Sequence, residues 1–125
     1  MYANGTGIAF RTFRETVKRL NKGFSDQIRW MKLSEIARYW AAKELTAIAR
    51  NDKGTVELKA PFATPGFTLE FSSTKDGSPR VKHGDGEVEL KKVSQVTLLK
   101  AGTWVKVGDK TVACFDLEKG KTTIV

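Results

Sequence analysis

The chain has 125 residues, a mean hydropathy of −0.35 and a formal charge of +8, which suits one globular domain, or a small domain with an extra piece. It offers no apolar run near the roughly 18 residues that span a bilayer, and its start lacks the charged and apolar segments of a signal peptide. A single cysteine, Cys114 in "TVACF", excludes an intrachain disulfide and reads as a small buried thiol.

Residues 7–21, "GIAFRTFRETVKRLN", place Phe10, Phe13, Val17 and Leu20 at helical spacing. Arg11, Arg14, Lys18 and Lys22 form a basic surface beside that stripe. Asn4 or Thr6 can cap the start, and Gly23 supplies a stop. "QIRWM", residues 27–31, reads as a short strand. Ser34 then caps a second helix, and Glu35 puts negative charge at its positive end. That helix is expected to run to about Ala49, with Ile36, Trp40 and Leu45 on one buried face together with Phe13 and Val17 of the first helix. Residues 50–54 form the expected boundary, giving a helical segment over 1–50 and a β-rich module over 55–125.

From Thr55 the apolar period changes from 3.6 to 2. "TVELKAPF", "FTLEFSS", "EVELKKV", "QVTLLKA", "TWVKVGDKTVACF" and "KTTIV" read as strands, with Phe62, Phe67, Phe71 and Phe115 in the core. Gly108-Asp109 reads as a two-residue hairpin turn, and Pro65-Gly66, Asp76-Gly77 and Lys119-Gly120 as other turns. The predicted fold is α+β: two N-terminal helices with a short intervening strand, followed by an antiparallel β-sandwich-like module.

The charge is uneven. Residues 1–60 hold 12 Lys/Arg against 6 Asp/Glu, and residues 61–125 hold 10 against 8. A basic front attracts anionic polymers, but no RNA-recognition or zinc-finger motif accompanies it, so nucleic acid is the lesser candidate. His83, Asp85 and Glu87 alternate in "KHGDGEVE" and make a weak metal candidate; the simpler reading is a polar hairpin rim. A hydrolytic metal centre needs about three ligands, and His83 is the sole histidine. No triad, P-loop or dinucleotide fingerprint is present. Hence no catalytic residue and no cofactor is assigned to this chain. Trp104 is the candidate for stacking on a glycan, with a core position as the plainer alternative.

"DQIRWMKLSEIARYW" resembles the last strand and last helix of polysaccharide deacetylase-like catalytic domains, through Trp30, Glu35, Ile36 and Trp40. The helix before it resembles the penultimate helix of the same incomplete β/α barrel. The resemblance covers about residues 4–48. It implies an appended, non-catalytic β module that would support the barrel or help hold a glycan or the cell envelope. The family's metal-binding Asp and His and its His-x-x-x-His motif would lie upstream of Met1, in a missing catalytic domain. It also implies an unpaired strand edge at "QIRWM" and a tendency to self-associate. The alternatives are a stand-alone basic β module binding an anionic polymer, and a protein–protein scaffold.

Overall fold

The computed structural model describes residues 7–51, 54–72 and 77–125. The chain divides into two compact units, residues 1–31 and 32–125.

The first unit holds α1, Ile8–Phe24. Gly7 precedes it at φ 63°; the expected caps Asn4 and Thr6 lie outside the described residues. Gly23 does not stop the helix, which runs on through Phe24. The chain then turns, with the amides of Gln27 and Ile28 both donating to Phe24 O at 2.9 Å. The Trp30 indole N–H returns to Asn21 Oδ1 at 2.6 Å. Residues 27–31 form no strand. A strand exists only by pairing, and among the described residues nothing pairs with this segment.

The second unit opens with α2, Leu33–Leu45. Its N-terminus is closed by Glu35 rather than Ser34. The Glu35 carboxylate reaches back to accept the Lys32 amide at 2.7 Å, which satisfies one of the helix's orphan donors. The helix ends four residues before the expected Ala49. Thr46 turns extended at φ −77°, ψ 117°, and Ala47–Arg50 becomes β1. The reason is pairing: Ile48 lies opposite Leu58 and Arg50 opposite Val56, so these four residues extend a sheet instead of a helix.

The other strands are β2 (Val56–Ala60), β3 (Thr64–Ser72), β4 (Arg80–His83), β5 (Gly86–Glu89), β6 (Lys91–Lys92), β7 (Thr103–Val107), β8 (Lys110–Leu117) and β9 (Gly120–Ile124). One sheet runs β1-β2-β9-β4-β5 and is antiparallel throughout. The other runs β3-β8-β7-β6, antiparallel except for the parallel β6-β7 pair. The α+β fold with a sandwich-like β module is therefore present. Alternation decides which side chains enter. In the first sheet Val56, Ile124 and Val81 stand in one cross-strand row, and Leu58, Thr122 and His83 in the next. From the second sheet come Phe67, Trp104, Ala113, Phe115 and Leu117. Phe67 and Phe115, paired across β3 and β8, meet edge to face at 6.1 Å, an arrangement aromatic quadrupoles favour. Phe62 and Phe71 pack against this core, as the alternation predicts, and Cys114 is buried.

Several turn signals resolve differently. Gly108-Asp109 does close the β7–β8 hairpin, with Gly108 at φ 61°. Pro65-Gly66 is not a turn but a bulge inside β3. Thr64 pairs with Leu117 and Phe67 with Phe115, so two residues oppose Asp116 alone. Gly66 takes φ 65°, and its amide donates to Asp116 Oδ1 at 2.9 Å. A Cβ disfavours that backbone region, so Gly66→Ala should cost about 1–2 kcal/mol, measured as a lower urea midpoint with unchanged slope. "QVTLLKA" is not a strand; it makes a 3-10 turn at Val96–Leu98. The loop is held instead by Thr103, whose hydroxyl accepts the Lys100 amide at 2.9 Å and donates to Lys100 O at 2.7 Å. Asp76 lies outside the described residues.

Candidate functional site

The position of α2 decides which surfaces remain for function. At 100° per residue, Tyr39, Ala42 and Thr46 fall on one side of the helix and Leu33, Ile36 and Trp40 on the other. The first side is bound. Ala42 is fully buried in the core, and Thr46 is buried too. The Tyr39 ring lies 5.9 Å from Phe67. Its hydroxyl accepts the Thr68 amide at 3.3 Å. That amide belongs to the outer edge of β3, whose single neighbour in the sheet is β8. Arg50 donates to Ser72 O at 2.8 Å on the same strand. Side chains from α2 and β1 thus occupy polar groups of an edge that would otherwise recruit another strand.

The second side is free. Leu33 is 81% exposed and Trp40 68%, and Ile36 and Leu45 are exposed as well. This corrects the expected burial of Ile36, Trp40 and Leu45 on one interface. Both stripes of α2 are apolar enough to enter a core. The β module takes the one with a small Ala42 and a Tyr39 hydroxyl that reaches the β3 edge. The compact unit accordingly includes α2 and starts at Lys32. A large apolar stripe in water at positions i, i+3 and i+7 has the anchor spacing of a helix that lies in a partner's groove.

The residues singled out in the sequence separate in the structure. Trp104 is 7% exposed and packs in the core, and Lys92 Nζ stands 5.4 Å from its ring centroid. This is the core position, the plainer of the two readings of Trp104, rather than an open face for a sugar ring. His83, Asp85 and Glu87 do not lie on one strand. His83 ends β4 and Glu87 lies in β5, and the two-residue turn Gly84-Asp85 between them breaks the alternation. His83 sits half-buried on the inner row, its Nδ1 3.2 Å from Thr122 Oγ1. Glu87 pairs with Lys82 in register and is held by Arg80 at 3.4 Å and Lys82 at 3.7 Å. Among the described residues no group of three or more His, Cys, Asp or Glu could hold a metal ion. Arg11, Arg14, Lys18 and Lys22 all lie on the exposed surface of α1.

A cleft of about 330 Å³ opens in the β module beside Ile48, Val56, Leu69 and Phe71. Its polar lining is already engaged: Arg50 with Ser72 O, and Lys110 with Glu70. The hydrogen bond to Glu70, with the charge of that carboxylate, raises the Lys110 pKa above the ordinary lysine value. The sequence did not single out this cleft, because its lining comes from four separate strands, β1, β2, β3 and β8.

Comparison with known protein families, with characterised proteins and with solved structures finds no match.

Proposed function

We propose that this chain is the non-catalytic C-terminal part of a polysaccharide deacetylase-like, carbohydrate-active protein, in which the β module supports the catalytic domain. The observation that carries the reading is the two-sided α2. One side is fixed to the β core through Tyr39 and Ala42, and the other turns Leu33, Ile36 and Trp40 outward. A helix in that position joins two bodies: it belongs to the sandwich by one stripe and offers the second to a neighbour. Its outward stripe includes Ile36 and Trp40, two of the residues that resemble the last helix of the deacetylase-like barrel.

The chemistry of the described residues agrees with a supporting role. Amide hydrolysis by that family needs a metal to polarise the acyl oxygen and activate water, with a base and an acid for the two proton transfers. A lone His83 cannot supply two imidazole ligands and an imidazole acid. Two results are expected. The purified chain, given acetylated chitooligosaccharide with zinc, cobalt or nickel, releases no acetate. A deacetylase-like barrel lacking its last strand and helix binds the chain, and Trp40→Ala weakens that binding at least tenfold, as expected of a central aromatic anchor. Metal-dependent acetate release, or barrel binding indifferent to Trp40→Ala, would overturn the reading.

A further inference from the structure

The α1 helix carries a second exposed surface, and its chemistry differs from that of α2. Phe10, Phe13, Val17, Leu20 and Phe24 fall within an arc of about 80°. None is buried, and Phe10 and Phe13 are each 63% exposed. Arg14 and Lys18 border this arc directly, with Arg11, Lys22 and Arg19 beyond them on the same flank. The helix has five basic residues and one acid, Glu15, which pairs with Arg19 at 3.4 Å. The Arg14 guanidinium leans over the Phe10 ring, 5.9 Å from its centroid, so its aliphatic stem follows the apolar arc while the charge stays outside.

Each class of occupant makes a different demand. A nucleic-acid backbone would satisfy the basic flank and leave three phenylalanines in water. A second copy would cover the phenylalanines but bring two strongly basic helices together. The barrel of the resemblance would cover the apolar arc, yet it gives no reason for five cations beside it. An anionic bilayer surface satisfies both halves: acyl chains take the Phe arc, and the headgroups take the Arg and Lys flank. The helix is amphipathic rather than uniformly apolar, and among the described residues no helix is long and apolar enough to cross a membrane. We propose that α1 is an in-plane anchor that binds the surface of an anionic phospholipid bilayer. This goes beyond the support role above and does not depend on it, since the outward residues of α2 take no part.

The test is co-sedimentation of the full chain with phosphatidylcholine vesicles, with and without phosphatidylglycerol, at low and high salt. The chain should bind the phosphatidylglycerol vesicles at low salt and bind pure phosphatidylcholine far more weakly. Arg14→Gln and Lys18→Gln should each weaken binding about fivefold, and Phe13→Ser about tenfold or more. All these positions are exposed, so circular dichroism should show that the variants keep their fold. Trp40→Ala should bind vesicles like the wild type, which separates this result from the docking of α2. Five results would overturn the anchor: no binding to anionic vesicles; equal binding to neutral ones; anionic binding that Phe13→Ser leaves unchanged, which is simple charge adsorption; self-association through Phe13 in place of vesicle binding; or shielding of Phe13 by a deacetylase-like barrel in place of vesicle binding.

Discussion

Leu58→Ala is expected to lower the unfolding free energy of residues 32–125 by about 2–5 kcal/mol, whereas Trp40→Ala, the larger deletion, should change it by about 0.5 kcal/mol or less. Leu58 is fully buried at the centre of β2, opposite Ile48 on one side and Thr122 on the other. Truncating it removes buried methyl and methylene groups and leaves a cavity between strands already fixed by their hydrogen bonds. Trp40 carries more apolar surface, but most of it remains in water after folding. Only area removed from water contributes to stability. Urea denaturation of both variants checks the pair. A large loss for Trp40→Ala would mean that its indole is buried within the chain.

Ala42→Asp should cost several kcal/mol, because it places an ionised carboxylate with no partner where the wild-type side chain is fully buried. The cheapest escape is for α2 to leave the β module. That would strip the Tyr39 hydroxyl from the Thr68 amide and expose the outer edge of β3. A nine-residue strand with an open edge is a template for another chain. The variant should therefore have a lower urea midpoint and also self-associate in sedimentation velocity. A monomer of unchanged midpoint would show that α2 does not protect this edge.

The β module was largely legible because alternation records burial directly. Val56, Leu58 and Ala60 enter the core while Lys59 stays out, and Phe67 and Phe115 meet as their phases require. What the sequence left open was the choice between equivalent patterns. On α2 the larger stripe, Ile36 with Trp40, looks like the core face; the smaller one, Tyr39 with Ala42, is chosen because it fits against a strand and closes its edge. Ala47–Arg50 continues a helical pattern, yet pairing with β2 makes it a strand. "QIRWM" and "QVTLLKA" have strand composition but, among the described residues, no neighbouring strand, and composition does not record whether one exists. Pro65-Gly66 reads as a turn locally, and only the two-against-one pairing with Asp116 makes it a bulge. At the candidate sites the plainer readings match the structure: His83, Asp85 and Glu87 lie along the β4–β5 hairpin, and Trp104 is in the core.

One stripe of α2 is bound to the β module and the other is exposed. Thiol labelling tests this directly, because the sole native cysteine, Cys114, is 3% exposed and makes the wild type a slow-reacting reference. Under native conditions Trp40→Cys should react with iodoacetamide nearly as fast as a small-molecule thiol, and Ala42→Cys only as slowly as α2 opens. Equal rates at the two positions, or faster labelling at position 42, would show that the Ala42 side of α2 is not held against the β module.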